Sequence, residues 1–212
     1  MRLYLSSFKI GNYPDRLVSL IGSGKRVGLI VNALDNGSKG RTEWLATQTE
    51  ALNNLGFITE EIDLRNYFGR ENDLKNALSR FDGLWINGGN AFLLRRAMRQ
   101  SGFDSTIKEL LQADKIAYAG FSAAVCCASP TLRGAELVDD ANAISEKYKS
   151  EIIWDGLGLI DYNVIVYCQS DHSESDDAEK ELQYLKDNNI PYKTLRDGQV
   201  IIVDGEKTEM LE

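Results

Sequence analysis

The sequence predicts an α/β fold: a doubly wound, mostly parallel β-sheet with helices on both faces and an antiparallel edge. Short apolar runs of strand length alternate along the chain with longer amphipathic runs of helix length. Near the C-terminus, two Asp-Gly pairs separate strand-like runs and predict hairpins that form the antiparallel edge. No repeat, low-complexity segment or linker divides the 212 residues, so we expect a single domain over residues 1–212.

The individual elements follow from the apolar spacing and from the residues that start and stop helices. Strands are predicted at 26–34, 57–64, 81–87, 115–120 and 163–169, with further strands between 191 and 211. Helices are predicted at 41–56, 71–80, 91–102 and 105–114, from 122 onwards, and at 176–189. Thr42 and Ser105 are the expected N-caps of two of these helices. In such a fold, binding sites form beyond the carboxyl ends of the strands.

The composition excludes several classes of protein. A hydrophobic content of 43% and a charged content of 26% are typical of a soluble globular domain. The net charge of −8 argues against binding to nucleic acid or to anionic lipid. No apolar segment approaches the ~20 residues that span a bilayer, and the N-terminal apolar run is too short for a signal peptide. We therefore expect a cytoplasmic protein without nucleic-acid or membrane partners.

The segment 116–130, IAYAGFSAAVCCASP, places Ser122 between a predicted strand and a predicted helix. The small residues around it leave room for a sharp turn that would expose its hydroxyl group, as in a nucleophile elbow. The match to Gly-x-Ser-x-Gly is incomplete, because Ala124 stands where glycine is expected. The alternative is that Ser122 simply caps the helix, which is a common role of serine.

The three cysteines indicate neither a disulfide framework nor a metal site. Their number is odd, and Cys126 and Cys127 lie among alanine and valine, which is typical of buried, inert thiols. Cys168 and His172 are four residues apart, but no third or fourth ligand of matching type accompanies them. We expect no metal and no other cofactor.

A serine nucleophile needs a base, and His172 is the only histidine of the sequence. Several carboxylates that follow the serine could orient this base: Asp171, Glu174, Asp176, Asp177, Asp197 and Asp204. Spacing does not choose among them. Asp197 is attractive because it lies in a turn between two predicted strands, although Asp-Gly pairs often serve only to make the turn.

The sequence Gly88-Gly89-Asn90 follows another predicted strand and precedes a helix. Glycines at such a position let backbone N–H groups approach a ligand closely. Nucleotide-binding patterns of the G-x-G-x-x-G and Walker types are absent. The glycines therefore predict either half of an oxyanion hole or a plain tight turn.

Several of these motifs occur together and in the same order in one family. The segments INGGNAFLL (86–94), AYAGFSAA (117–124), GLGLIDYNVIVYCQSDH (156–172) and LRDGQVIIVDG (195–205) carry this resemblance over most of the chain. On these segments the chain resembles peptidase family S51, which includes dipeptidase E, the aspartyl dipeptidases and the cyanophycinases.

The resemblance implies a fold like that of class I glutamine amidotransferases and a peptidase that acts on small peptides without a cofactor, as a monomer or homodimer. It implies Ser122 as the nucleophile, His172 as the base and Asp197 as the acid, where family members usually carry glutamate. It also implies an oxyanion hole at the N–H groups of Gly89 and Ala123, and substrate contacts at the residues flanking Gly89, namely Gly88 and Asn90. The acidic sequence after His172 disfavours an N-terminal aspartate in the substrate.

Two other functions stay open at the sequence level. The first is a non-catalytic relative, or one of altered specificity, that binds a small molecule in the same pocket. Ala124, Asp197 and the acidic loop are the features that keep it open. The second is an amidotransferase-like domain with a cysteine nucleophile, which predicts labelling of Cys126 or Cys127 by thiol reagents.

Overall fold

A computed structural model describes the backbone of residues 1–212 and every side chain except that of Ser38. The strands are β1 (Arg2–Ser6), β2 (Arg26–Ile30), β3 (Ile58–Glu61), β4 (Gly83–Ile86), β5 (Ala117–Phe121), β6 (Asn163–Ile165), β7 (Tyr192–Thr194), β8 (Val200–Asp204) and β9 (Lys207–Leu211). The α-helices are α1 (Pro14–Ile21), α2 (Ser38–Asn54), α3 (Glu71–Leu78), α4 (Ala91–Ser101), α5 (Phe103–Gln112), α6 (Ala123–Ala128) and α7 (Ser175–Asp187). Short 3₁₀ turns cover Asn32–Leu34, Leu64–Tyr67 and Ala135–Leu137.

Seven strands form the main sheet in the order β3-β2-β4-β5-β1-β8-β9. The five strands from β3 to β1 are parallel to one another, whereas β8 runs antiparallel to β1 and β9 antiparallel to β8. This confirms the predicted parallel sheet with an antiparallel edge. A second, two-stranded sheet pairs β6 with β7 in parallel.

Helices cover both faces of the main sheet, as predicted. Side chains alternate along β1, so that Leu3 and Leu5 pack into one core and Tyr4 into the other. The first core is completed by α3, α4, α5 and α6, and the second by α1 and α2. Within the described part of the chain, no helix combines the length and apolar character that crossing a membrane requires.

Two predicted helix starts are wrong. Helix α2 begins after Gly37, whose extended backbone makes it the N-cap, so Thr42 lies inside the first turns. Helix α5 begins after Gly102, which takes the left-handed conformation that glycine tolerates, so Ser105 also lies inside its helix.

The predicted strand boundaries also need correction. Strand β6 ends at Ile165, two residues before Tyr167, whereas the sequence predicted a strand to residue 169. Asp197 and Gly198 lie between β7 and β8, but these strands belong to different sheets and form no hairpin. Asp204-Gly205 does join a hairpin, between β8 and β9. Strand β1 and helix α1 were not predicted.

Candidate functional site

Ser122 occupies a strained turn at the carboxyl end of β5, immediately before α6. Its backbone angles are φ 53° and ψ −115°, a conformation that L-residues rarely adopt. Its N–H donates to the carbonyl of Ser6 at the end of the neighbouring strand β1, over 3.3 Å. Strain of this kind persists only where the surrounding structure imposes it, and it concentrates at functional sites. The geometry is that of a nucleophile elbow rather than of an ordinary cap, and Ser122 makes no side-chain cap bond to the helix.

Ala124 is compatible with this turn because residue 120 is glycine. A Cβ atom on Gly120 would lie 2.6 Å from the Cβ of Ala124 and 2.4 Å from the carbonyl oxygen of Ile86. Ala124 itself is helical and fully buried, and its carbonyl accepts a hydrogen bond of 2.6 Å from the Tyr118 hydroxyl. Glycine is therefore needed before the serine in this chain and not two residues after it.

The backbone N–H groups predicted for the oxyanion hole, those of Gly89 and Ala123, donate no hydrogen bond to another described group. Gly88 packs directly on the serine, since a Cβ on it would meet the Cβ of Ser122 at 2.8 Å. No hydrogen bond within the described part of the chain uses the N–H of Gly88 or Gly89. Ala123 is the first residue of α6, so its N–H has no partner inside the helix.

Asn90 has a structural role at the start of α4. Its side-chain oxygen accepts from the N–H of Leu93 over 2.8 Å, which makes it the N-cap of the helix. Its amide nitrogen donates to the carbonyl of Asp140 over 3.0 Å. Both polar ends of the side chain predicted to contact substrate are thus engaged within the protein.

The side chain that reaches Ser122 is Tyr167, which follows β6. Burial raises the pKa of the Tyr167 phenol, and the nearby Ser122 hydroxyl offsets part of that rise. The backbone of Tyr167 is also strained, with φ 63°. Sequence reasoning missed this residue because it was assigned to the interior of a strand that ends at Ile165. No local feature of the sequence distinguishes Tyr167 from an ordinary strand tyrosine.

The imidazole of His172 packs on one face of the Tyr167 ring rather than against Ser122. The two rings are stacked with centroids 3.6 Å apart and planes at 5°. Phe8 meets the imidazole edge to face at 5.2 Å. The Nδ1 atom of His172 accepts a hydrogen bond of 3.2 Å from the N–H of Glu174. A base in a catalytic triad would instead donate from this nitrogen to a carboxylate.

Asp197 lies at the same end of the sheet as Ser122, but it forms hydrogen bonds with two serines. Its carboxylate accepts from the hydroxyl of Ser7 over 3.4 Å, and its N–H donates to the hydroxyl of Ser170 over 2.8 Å. The Ser7 hydroxyl in turn accepts from the N–H of Tyr167 over 3.0 Å. The structure therefore brings Asp197 close to Tyr167, but no hydrogen bond among the described residues joins it to His172, or His172 to Ser122.

Three carboxyl groups that the sequence reasoning did not assign to the site line a small cavity behind Ser122. They belong to Asp139, Glu174 and Glu181, and the cavity measures about 20 Å³. Burial raises the pKa of Asp139 to about 7 and that of Glu181 to about 8. No group of three or more acidic, histidine or cysteine side chains within the described part of the chain is placed to hold a metal ion.

The cysteines have the properties of buried thiols. Burial raises the pKa of Cys126 and Cys127, and it raises that of Cys168 to about 12. A thiol acts as a nucleophile only as the thiolate, which these environments disfavour at neutral pH. This argues against a cysteine nucleophile.

Comparisons with known proteins identify the family of the chain and its fold. A family model described as peptidase family S51 matches residues 12–211. An uncharacterized peptidase of Listeria monocytogenes is 27% identical over 58% of this chain and 57% of its own length. A second, of Listeria innocua, is 25% identical over 93% of this chain and 76% of its own length. A Drosophila melanogaster protein named as a probable alpha-aspartyl dipeptidase is 24% identical over 80% of this chain and 67% of its own length.

Two crystal structures share the fold. One, assigned as a peptidase E protein of Listeria monocytogenes, has a TM-score of 0.73 and 22% identity, and the match covers 99% of this chain and 97% of that one. The other, a peptidase from an acI-B1 actinobacterium, has a TM-score of 0.69 and 16% identity over 99% of this chain and 86% of that one. The match of the family model to nearly the whole length is the decisive finding. The chain therefore belongs to peptidase family S51, a family of serine-type peptidases.

Proposed function

We propose that this chain hydrolyses small peptides, in the manner of a dipeptidase, with Ser122 as the nucleophile. The observation that carries the proposal is the strained turn at Ser122, with φ 53° and ψ −115°. A helix cap needs no such conformation, whereas presentation of a hydroxyl at the tip of a strand-to-helix turn does. Family membership and the free N–H groups beside the serine support the same reaction.

In the proposed reaction, the Ser122 oxygen attacks the scissile carbonyl carbon, and the C–N bond breaks after the tetrahedral intermediate forms. The N–H groups of Gly89 and Ala123 stabilise the negative oxygen of that intermediate, an effect worth about 10²–10³ in rate for each donor. The hydroxyl proton passes through a base to the leaving amine. Water then hydrolyses the acyl-serine and restores the hydroxyl group.

His172 is the proposed base, with Asp197 as the acid that orients it. For this role the imidazole must take the place of the Tyr167 phenol against Ser122. Positive φ values at Tyr167 (63°) and Gln169 (51°) strain the backbone of the segment that would have to move. The contacts of Ser7 with Tyr167 and Asp197 couple the acid to the same segment.

The second candidate is a relative that binds a small molecule at this site without hydrolysing it. The contact between Tyr167 and Ser122 favours it, because a phenol whose pKa is raised by burial does not take up the serine proton at neutral pH. Both candidates predict that a small molecule binds at this site. Only the first predicts that the bound molecule is hydrolysed.

A panel of dipeptides that differ in the N-terminal residue separates the two candidates. We expect hydrolysis by the unaltered protein and loss of about 10³-fold or more in kcat/KM for Ser122→Ala. Ser19→Ala, on the exposed side of α1, is the matched control and should retain full activity. A dipeptide with an acidic N-terminal residue should be a poor substrate, because the carboxyl groups beside Ser122 would repel its acidic side chain. Binding of a peptide without turnover would favour the second candidate.

A further inference from the structure

Glu181 is a buried carboxyl group that lacks a partner. It lies on α7 with 5% of its surface exposed, and it lines the cavity beside Ser122. No hydrogen bond or ion pair joins its side chain to any other group that the structure describes. A buried carboxyl group without a partner carries a desolvation cost of several kcal/mol when ionised. Such a group is retained most readily where a ligand supplies the missing partner.

The cavity is lined by acidic side chains and by no basic one that the structure describes. Asp139 and Glu174 line the cavity together with Glu181. The charge of the nearby Glu136 also raises the pKa of Glu181. Asp139 accepts from the N–H of Ala91 over 2.8 Å, which satisfies only one of its oxygen atoms. Lys180, the neighbour of Glu181 in sequence, points to solvent and pairs with Asp177 over 2.5 Å. A ligand cation is the group that would complete this arrangement.

We propose that the cavity formed by Asp139, Glu174 and Glu181 binds a primary ammonium group of the substrate. This group belongs to the substrate residue whose carbonyl group lies at Ser122. That this carbonyl group is the one attacked by Ser122 rests on the proposed function. The presence of an ammonium site does not depend on it.

The size of the cavity selects an ammonium group over other cations. Its volume of about 20 Å³ is close to the about 10–15 Å³ that one water molecule requires. An ammonium group is of similar size and has three N–H donors for the carboxyl oxygens, whereas a guanidinium group is larger and planar. The described acidic groups are not placed to hold a metal ion, which excludes a divalent cation as the preferred occupant.

The position of the cavity limits where the ammonium group lies on the substrate. Ser122 is itself part of the cavity wall. In a peptide with a free N-terminus, the amine is two bonds from the first carbonyl carbon, so both groups fit beside the serine. A lysine side chain that folds back supplies the same chemistry from a second source, and the substrates below distinguish the two.

A binding experiment tests the ammonium site independently of hydrolysis. Melting temperatures are measured for the unaltered protein in methylammonium chloride, with sodium chloride, tetramethylammonium chloride and guanidinium chloride at equal ionic strength as comparisons. We expect methylammonium alone to raise Tm, by about 2–4 °C at saturating concentration. The rise should vanish when Glu181→Gln is added and persist when Glu179→Gln is added, since Glu179 is exposed on the same helix. An equal response to all cations, or a response unchanged by Glu181→Gln, would overturn the proposal.

Hydrolysis then identifies the source of the ammonium group. The substrates are alanyl, Nα-acetyl-alanyl and Nα-acetyl-lysyl derivatives of one leaving amine. Cleavage of the free alanyl substrate alone assigns the α-ammonium group, and cleavage of the acetyl-lysyl substrate assigns the side chain. Equal cleavage of the uncharged acetyl-alanyl substrate contradicts the proposal. If no substrate is cleaved while methylammonium still stabilises the protein, the proposed hydrolysis has failed and the ammonium site has not.

Discussion

The rings of Tyr167 and His172 are stacked with their centroids 3.6 Å apart, and the phenol of Tyr167 lies beside the hydroxyl of Ser122. The predicted base is therefore one aromatic ring away from the predicted nucleophile. Whether His172 can take the place of the tyrosine against Ser122 decides between the two candidate functions.

Tyr167→Phe should retain activity. If the phenol only competes for the Ser122 hydroxyl, its removal frees that hydroxyl, and kcat/KM should rise or stay within about tenfold of the unaltered value.

His172→Gln, in contrast, should lower kcat/KM by about 10²–10⁴, the range typical of a lost general base. Steady-state kinetics on one dipeptide measures both. Loss of activity in Tyr167→Phe together with full activity in His172→Gln would assign the catalytic role to the tyrosine.

Asp197→Asn should lower kcat by at least about tenfold, because an amide orients the imidazole of His172 less effectively and does not stabilise its protonated form. The matched control is Asp204→Asn, at the other Asp-Gly pair, where the aspartate is the last residue of β8. Both variants should leave the melting temperature nearly unchanged, since both side chains are exposed. Equal kinetics for the two variants would show that Asp197 serves only its turn.

Gly120→Ala should destabilise the protein and disturb the serine turn. The new Cβ would lie 2.4 Å from the carbonyl oxygen of Ile86, and overpacking of this kind costs about 1–3 kcal/mol in the free energy of unfolding. Gly40→Ala is the control, because nothing lies within 4 Å of its added methyl group and alanine is favoured in helix α2. Urea denaturation measures both changes. Equal free energies of unfolding for the two variants would contradict the packing argument.

Glu181→Gln should stabilise the protein increasingly as the pH rises. Burial raises the pKa of Glu181 from 4.5 to about 8, so between these values the folded state keeps a proton that the unfolded state has lost. The free energy of unfolding of the unaltered protein therefore falls with rising pH across this window, and a glutamine does not titrate. Urea denaturation at pH 5, 6.5 and 8 should show a growing difference between the unaltered protein and Glu181→Gln, with Glu179→Gln as the exposed control on the same helix. A difference independent of pH would mean that Glu181 is paired in solution.

The sheet was predictable because its signals are local. Runs such as 81–87 and 115–120 are short and largely apolar, with a glycine at or just after their end, and they form the central strands β4 and β5. The N-terminal strand β1 was missed although its sequence, RLYLS, is partly apolar, because its pairing with β5 and β8 is a tertiary property. Helix starts at Gly37 and Gly102 were missed because serine and threonine nearby offered a stronger capping signal.

The site was predictable only in part, and for a physical reason. Ser122 could be identified because the turn that exposes it needs small neighbours, and those neighbours are adjacent in sequence. Tyr167 and Glu181, on α7, line the cavity beside Ser122 from elements that are distant in sequence, and nothing local distinguishes them from a strand tyrosine and an ordinary helix acid. The positive φ of Tyr167 was equally inaccessible, since it reflects the end of β6.

The most direct test of the central claim is the reaction of the protein with a fluorophosphonate, followed by peptide mapping in a mass spectrometer. If Ser122 is an activated nucleophile, the adduct should form on Ser122, disappear in Ser122→Ala and persist in Ser19→Ala. An intact, folded protein that forms no adduct, or forms one at another residue, would contradict the assignment of Ser122 as the nucleophile.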